Sequence, residues 1–248
     1  MERLSIELTN RCDKHCSFCY NRSGPSGETR WTAQEVVDLV RDCVRHGTQA
    51  VSLGGGEPLL FAELTEVLTA LRGHVFRSVT TNGLLLMEDA HFSKLLAARP
   101  EKVHVSIHRP AVMSEVERVT AIVKKIEEAG IASGVNLLVP ADQAAAAART
   151  AQALHKAGID NRRIIYLPQR RGNTPTPKML AEIARAPFQS MSCLNACGKS
   201  SRFCAIAWDK SVAWCSYTVA RQPLPSLSHD GLRRALSSLA LVPCSAAC

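Results

Sequence analysis

Hydrophobic and polar positions follow one repeated rhythm from residue 3 to about residue 168. A short apolar or alternating run is followed by a loop and then by an amphipathic stretch. The runs, which predict six β-strands, read RLSIELT, AVSLGG, FRSVTTN, KVHVSIH, SGVNLLV and RIIYLP. The helical patterns between them begin near Thr32, Phe61, Met87, Ala111 and Ala141. This alternation predicts right-handed βαβ crossovers and a parallel sheet, and therefore an α/β fold.

Local signals place the ends of some of these elements. Thr32 followed by Glu35 forms a capping-box pattern, which predicts the start of the first helix. Gly47 and Gly130 fall where helices should end, because glycine readily adopts the left-handed conformation that closes many helices. Cys43 lies among valines and leucines of the first helical pattern, so we expect its thiol to face the core.

The rhythm breaks after Pro168, where a polar segment carries two prolines. A short helix is expected up to about Ala186, and we place a domain boundary near residue 175, between a core domain (1–175) and a small domain (176–248). Six of the ten cysteines lie beyond this boundary. A segment this small buries little core, so we expect a metal centre to hold it together.

Composition narrows the functional classes. The chain has 248 residues, 46% hydrophobic residues and a formal net charge of +8, but only 5% aromatic residues, too few for an obvious base-stacking surface. Nucleic acid is therefore a less favoured partner. No run of eighteen apolar residues and no signal-peptide pattern is present, which predicts a cytoplasmic protein without a membrane partner. In that compartment thiols stay reduced, so ten cysteines favour metal or cluster ligation over disulfides.

Three cysteines, Cys12, Cys16 and Cys19, follow the first predicted strand. Parallel α/β folds build their active sites at this carboxyl end of the strands. Structural zinc sites and electron-carrying clusters normally use four protein ligands, whereas a catalytic metal keeps one position open. Three thiols therefore favour a four-iron cluster with one open iron; a zinc site completed by His15 or by a distant residue is the alternative.

The segment CDKHCSFC, with Phe18 as its aromatic residue, resembles the C-x3-C-x-φ-C motif of the radical S-adenosylmethionine (SAM) enzymes. The resemblance spans about residues 3–168 and implies an open (β/α)6 partial TIM barrel. It also implies a [4Fe–4S] cluster on Cys12, Cys16 and Cys19, whose open iron binds SAM. One electron from that cluster cleaves SAM to methionine and a 5′-deoxyadenosyl radical, which abstracts hydrogen from a substrate.

Further segments match the family's other motifs at the ends of successive strands. GGGEP at residues 54–58 resembles the family motif whose backbone and glutamate bind the amino group of the methionine part of SAM. TTNG, SIH and the asparagine of GVNLLV occupy positions where the family contacts the ribose and the carboxylate of SAM. In the family, the backbone of the residue after the third cysteine, here Tyr20, commonly contacts the adenine of SAM. The sixth strand, RIIYLP, departs from the family pattern, because it lacks the usual glycine that contacts adenine. The resemblance thus assigns these cofactor-binding residues: Phe18, Tyr20, Gly55, Gly56, Glu57, Asn82, Ser106, His108 and Asn136. It assigns no catalytic side chain.

The cysteine-rich tail resembles the auxiliary-cluster domains called SPASM or, when shortened, twitch, with Lys210 in the place of a turn glycine. Asp209 and Val212 fit a hairpin flanked by Trp208 and Trp214. The resemblance implies a second [4Fe–4S] cluster, and a structural zinc site is the alternative. Its predicted ligands are Cys197, Cys215, Cys244 and Cys248, with Cys193 and Cys204 as further candidates.

The leading functional hypothesis is a radical SAM peptide maturase supplied with electrons by a flavodoxin or ferredoxin. A radical SAM dehydrogenase of a small polar metabolite, such as an aminocyclitol, is the first alternative. A nucleic-acid-modifying radical enzyme ranks third, supported only by the positive charge. A non-catalytic electron carrier or zinc-stabilised binding protein would not need the GGGEP loop or its companions, which count against it.

Overall fold

A computed structural model describes residues 1–170, 172–191, 197–200 and 202–242 of the chain. It confirms the predicted α/β class and the six parallel strands. They are β1 (Arg3–Thr9), β2 (Ala50–Gly55), β3 (Phe76–Thr81), β4 (Lys102–Ile107), β5 (Ala132–Val139) and β6 (Ile164–Pro168). Each of these strands pairs in parallel with the next one along the chain, which is the arrangement that βαβ crossovers produce.

Helices connect the strands and follow them into the tail. They are α1 (Ala33–Arg45), α2 (Leu64–Ala70), α3 (Asp89–Ala98), α4 (Met113–Glu128), α5 (Ala144–Lys156), α6 (Pro177–Ala184) and α7 (His229–Ser237). The predicted capping box is present, because Thr32 accepts a hydrogen bond from the backbone of Glu35 and the Glu35 side chain accepts one in return. Cys43 is fully buried in the core, as the helical pattern predicted.

The two faces of the core strands differ in chemistry. The face toward the helices carries fully buried apolar residues such as Leu4, Ile6 and Val79. The opposite face carries mainly small or polar residues, namely Ser5, Glu7, Ser52, Gly54, Thr80, Ser106 and Asn136. Closed TIM barrels fill this inner face with branched apolar side chains. Here small polar side chains leave a cavity, and the sequence alternation within the strands already encodes it.

The sheet extends beyond the six core strands on both sides. The further strands are β7 (Gln189–Ser190), β8 (Phe203–Ile206), β9 (Ser211–Ala213) and β10 (Gln222–Pro223). The order is β10-β9-β8-β1-β2-β3-β4-β5-β6-β7, so the sheet has two free ends and the barrel is open. Because β8 pairs in parallel with β1, part of the tail continues the core sheet. The domain boundary near residue 175 stays a prediction.

The predicted tail hairpin is formed by β8 and β9, which pair antiparallel. Lys210 in its turn has φ of +67°, the left-handed conformation that a glycine would adopt without strain. The Lys210 amine forms an ion pair with Glu35 and lies over the ring of Trp31. These contacts fix the lysine side chain against α1 and the segment before it. Separately, none of the described helices is long and apolar enough to cross a bilayer.

Candidate active site

The three N-terminal cysteines lie in the loop after β1 and line one cavity. Cys12 is buried, and Cys16 and Cys19 are half-buried. The backbone N–H groups of Lys14 and Ser23 point at the sulfur atoms of Cys12 and Cys19, at N–S distances of 3.4 and 3.5 Å. Donors in these positions stabilise negative charge on sulfur, which favours thiolate ligands.

The cavity has a volume of about 250 Å³ and lies at the carboxyl ends of the strands, as the sequence predicted. Nearly all of the predicted cofactor-binding residues line it: Phe18, Tyr20, Gly55, Gly56, Asn82, Ser106, His108 and Asn136. Glu57 is the exception, because its side chain is not part of the cavity wall. The ligand roles of these residues stay predictions, but the fold brings eight of the nine together.

The glycines of GGGEP pack against the cysteine loop. Gly55 has φ of +129°, and a Cβ there would lie 2.3 Å from the carbonyl oxygen of Thr9. A Cβ at Gly56 would lie 2.2 Å from the carbonyl oxygen of Arg11. Gly54, by contrast, faces open space, with no atom within 4 Å of a Cβ position. Gly55 and Gly56 thus let two backbones meet, and Gly54 leaves room in the cavity.

Glu57 is completely buried and holds this region together. Its carboxylate accepts hydrogen bonds from the Thr81 hydroxyl (2.7 Å), the Asn82 N–H (2.8 Å) and the Leu59 N–H (3.1 Å). Burial raises the pKa of Glu57 to about 7, although these hydrogen bonds act in the opposite direction. Three donors already occupy the carboxylate, so binding of the methionine ammonium by this side chain stays a prediction.

Asn82 links the cysteine loop to β3. Its amide nitrogen donates to Asp13 at 2.6 Å, and its carbonyl oxygen accepts from the Leu84 N–H. The same nitrogen lies 3.9 Å from the sulfur of Cys12. Asn82 therefore fixes the position of the first cysteine, a role that a ribose contact alone would not have indicated.

A second polar network crosses the cavity at the end of β4. Lys14 forms an ion pair with Glu115 at 3.3 Å and lies 3.4 Å from Nδ1 of His108. Burial and the nearby positive charge of Lys14 lower the pKa of His108 to about 4, so the imidazole is neutral at pH 7. The ring of Phe18 lies 5.9 Å from that of His108. His108 is therefore a neutral, partly apolar wall of the cavity.

Asn136 on β5 is suited to a bound polar ligand. Asn136 is 8% exposed, and its Oδ1 has no hydrogen-bond partner among the described residues. Buried polar atoms are almost always satisfied, so an open acceptor that lines a cavity fits a ligand hydroxyl or amine. The ribose or carboxylate contact that the resemblance implies for Asn136 stays a prediction.

Sequence reasoning missed several cavity residues. Glu7, Lys14 and Arg170 line the cavity together with Ser216 and Tyr217 from the tail. A signal for Glu7 existed, because it occupies an inward position in the alternating run RLSIELT. No sequence signal pointed to Ser216 and Tyr217, since their position depends on how the tail pairs with β1.

The tail cysteines lie in dissimilar environments. Cys197 is exposed, Cys204 is fully buried in β8, and Cys215 is half-buried with the Tyr217 N–H 3.4 Å from its sulfur. Burial and the neighbouring Cys43 raise the pKa of the Cys204 thiol, as expected for a core residue. The other predicted tail ligands, Cys193, Cys244 and Cys248, lie outside the described residues. The auxiliary ligand set therefore stays a prediction.

The donor set of the N-terminal loop is three free thiols, which are the ligands that iron–sulfur clusters use. Burial raises the pKa of Cys12 to about 11 and that of Cys16 above its ordinary value, so binding of the metal must drive their deprotonation. His15, weighed as a fourth zinc ligand, is exposed and is not part of the cavity wall. Within the described ranges, no three His, Cys, Asp or Glu side chains come close enough together to bind a single metal ion.

Comparison with known protein structures identifies the same architecture. Streptococcus suis SuiB bound to S-adenosylmethionine superposes with a TM-score of 0.69 at 15% identity, over 89% of this chain and 62% of SuiB. The protein anSMEcpe with bound AdoMet gives a TM-score of 0.63 at 15% identity, over 95% and 79% of the two chains. At these identities the comparison shows a common fold.

The chain also has curated relatives that are similar in sequence, and two of them serve as examples. Both are named "Probable GTP 3',8-cyclase": one from Methanocella arvoryzae is 38% identical over 104 residues, and one from Saccharolobus solfataricus is 35% identical over 146 residues. These matches cover 42% and 56% of this chain, but 33% and 46% of the relatives. The chain thus spans less than half of each relative.

The family match covers the whole cavity-forming core. Residues 6–170 match the Radical SAM superfamily, a segment that includes all three cysteines of the loop and the GGGEP turn. Members of this family use a [4Fe–4S] cluster and SAM, and both fold relatives above were solved with SAM bound. The chain therefore belongs to the radical SAM superfamily.

Proposed function

We propose that this protein cleaves SAM reductively and uses the resulting radical to abstract hydrogen from a polar substrate, most favourably a peptide side chain. One observation carries the proposal: the three cysteines, the glycine turn and the polar inner faces of β1 to β5 all border one cavity. A cluster, its cofactor and a substrate group would then meet within reach of each other, as a radical transfer requires.

The residues at the site fall into two sets: those that would bind the cluster or SAM, and those that position the loops around them. Cys12, Cys16 and Cys19 would hold the cluster, and the backbone of the GGGEP turn with Asn136 would hold SAM. When bound, the cluster would supply one electron and SAM would supply the 5′-deoxyadenosyl radical. Glu57, which is not part of the cavity wall, and Asn82, which is, fix the GGGEP turn and the cysteine loop to the end of β3.

The tail completes the wall of the cavity. The ring of Tyr217 lies against that of Tyr20, with centroids 4.6 Å apart, so the tail and the cysteine loop meet over the cavity. Such a wall limits water and solvent-derived hydrogen donors near a reactive radical. We further propose that Cys197, Cys215, Cys244 and Cys248 hold a second [4Fe–4S] cluster. Cys215 directly precedes the cavity residues Ser216 and Tyr217, so a cluster there would lie near the substrate.

The fold relatives support a peptide substrate. SuiB was solved bound to precursor peptide SuiA, and anSMEcpe was solved with a Cp18Cys peptide. The sequence relatives favour a second candidate, a cyclisation of GTP, but only through the part of the chain that they match. Dehydrogenation of an aminocyclitol remains the small-molecule alternative from the sequence.

The test uses cluster-reconstituted protein under anaerobic conditions with dithionite and SAM. We expect 5′-deoxyadenosine from the wild type. Peptides encoded beside the gene, GTP and an aminocyclitol are then supplied in parallel, and a mass change in one of them identifies the substrate class. Absence of 5′-deoxyadenosine from protein that carries its full iron content would overturn the proposal, and turnover of GTP alone would replace the peptide assignment.

A further inference from the structure

Glu7 is a buried carboxylate that faces the cavity. It lies on the inner face of β1, is 1% exposed, and forms part of the cavity wall. Neither carboxylate oxygen accepts a hydrogen bond of ideal geometry from the described residues, although the Tyr20 hydroxyl is near enough to favour the ionised form. The nearest charged nitrogen, Nη2 of Arg221, lies 3.7 Å from Oε1. A charge-assisted pair is usually closer, at about 2.8 Å, and Arg221 instead donates to the backbone oxygen of Ser216 at 2.9 Å.

The other buried charges of the core are satisfied in a different way. The Arg77 guanidinium is 1% exposed and bonds to the carboxylate of Glu101 and to backbone oxygens around it. Glu57 accepts three hydrogen bonds. A buried charge without such partners costs several kcal/mol, so sequences rarely retain one for stability alone. Glu7 therefore differs from the charges that have a purely structural role.

The space beside Glu7 is open. In the β1–β2 register Glu7 lies opposite Gly54, and a Cβ at Gly54 would meet no atom within 4 Å. Ser5 and Ser52, one inward position earlier on the same strands, also line the cavity. A small group of a ligand has room here, next to a carboxylate whose described contacts are the Arg221 guanidinium and the Tyr20 hydroxyl.

The electrostatics agree with this geometry. Burial raises the pKa of Glu7 from its ordinary value of 4.5 to about 7, while Arg221 and the Tyr20 hydroxyl partly offset the shift. A hydrogen-bond donor from a ligand would stabilise the ionised form and replace the hydration that burial removed. Glu7 lies five residues before Cys12, so this acceptor sits close along the chain to the proposed cluster.

We propose that Glu7 is a substrate-binding residue whose carboxylate accepts a hydrogen bond from an amine or hydroxyl group of the substrate, in the space beside Gly54. This inference rests on the proposed function, because the bound group must lie in the cavity where SAM is cleaved. It assigns the substrate a donor group near the carbon that loses hydrogen. An amine would gain more from the ionised carboxylate than a hydroxyl would.

The test uses three deuterated probes of nearly equal size, supplied separately to the reconstituted holoenzyme with SAM and dithionite. Carbon-perdeuterated 1-butanol and butylamine carry a donor, whereas perdeuterated diethyl ether, an isomer of butanol, carries none. When the 5′-deoxyadenosyl radical breaks a C–D bond of the probe, the deuterium appears in 5′-deoxyadenosine. The carbon radical left behind takes one electron from dithionite and one proton from water, which forms a C–H bond. The measured quantity is deuterium per 5′-deoxyadenosine formed.

We expect the wild type to take deuterium from butanol and butylamine in preference to the ether. Glu7→Leu, of similar volume but without an acceptor, should lower both donor signals by about tenfold or more. Glu7→Gln keeps a neutral acceptor, so it should lower the butylamine signal more than the butanol signal. Glu117→Gln, on the exposed side of α4, is the matched control and should match the wild type. Gly54→Ala should reduce both donor signals by filling the space beside the carboxylate.

Two results would overturn the inference while leaving the proposed function intact: equal deuterium transfer from all three probes, or donor signals that Glu7→Leu leaves unchanged. Formation of 5′-deoxyadenosine without deuterium from any probe would also reject it. A protein that forms no 5′-deoxyadenosine at all would instead reject the proposed function.

Discussion

The N-terminal loop and the tail both contain cysteines, but those of the loop lie together and the described cysteines of the tail lie in different environments. Cys12, Cys16 and Cys19 share one loop and one cavity. In the tail, Cys204 is buried in β8, Cys197 is exposed and Cys215 lies beside the cavity wall. A short local motif therefore defines its site from sequence alone, whereas distant cysteines form a site only through tertiary pairing. Several cysteines in one segment are therefore not by themselves evidence for a cluster.

The largest expected effect separates a loop cysteine from a core cysteine. Cys16→Ala should abolish SAM cleavage, because it removes one of three cluster ligands and little apolar volume. Cys43→Ala, the matched control, removes a fully buried thiol from α1 and should retain the cluster with only a modest loss of stability. The measurement is 5′-deoxyadenosine formation together with iron content. Full activity of the Cys16 variant would contradict the assignment of the loop.

The second prediction tests whether the tail holds its own cluster. With Cys12, Cys16 and Cys19 all replaced by alanine, the protein should retain about four irons per chain and stay brown, because the proposed auxiliary ligands are on a separate segment. Iron and zinc analysis with the visible spectrum decides the result. A colourless variant that contains zinc would establish the structural zinc alternative.

The third prediction concerns the support of the loop. Glu57→Ala should destabilise the protein by about 3 kcal/mol, because the Thr81 hydroxyl and the Asn82 N–H would lose a buried partner. Iron bound by the loop should fall, and iron bound by the tail should not. Chemical unfolding and iron analysis measure the two effects, with exposed Glu66→Ala as the control. If both iron pools fell equally, Glu57 would support the whole fold and not the loop.

The smallest expected effect is on the pH dependence of stability, at Glu7 of β1 and Arg221 of the tail, where the core and the tail meet. Folding raises the pKa of Glu7 to about 7, so the folded protein binds this proton more tightly than the unfolded chain. The resulting stabilisation is complete below about pH 4.5 and is lost as the pH rises through 7. Glu7→Gln removes this dependence and should gain stability relative to the wild type between pH 5 and pH 8, by at most about 3 kcal/mol.

Unfolding free energies of both proteins at the two pH values test this expectation. Because Glu57 also has a raised pKa, only the difference between wild type and variant is informative. A constant difference across the pH range would mean that Glu7 is not a buried, weakly paired acid.

The sequence predicted those features that depend on local order. The capping box at Thr32 and the strand alternation are periodic signals, and the cysteine motif is a fixed spacing, so all could be read directly. It did not predict that the Glu57 carboxylate would accept hydrogen bonds from Thr81 and Asn82 instead of lining the cavity, because that depends on how β2 pairs with β3. Tyr217 was missed for a similar reason, since only the pairing of β8 with β1 brings the tail to the cavity.

The central claim is that Cys12, Cys16 and Cys19 hold a cluster that binds SAM directly. Electron paramagnetic resonance of the reduced protein, recorded with and without SAM, tests it most directly, because a ligand on an iron changes the spectrum of that cluster. We predict a clear change on addition of SAM to the wild type and none with Cys16→Ala. An identical spectrum with and without SAM, from wild-type protein that carries its full iron content, would contradict the account.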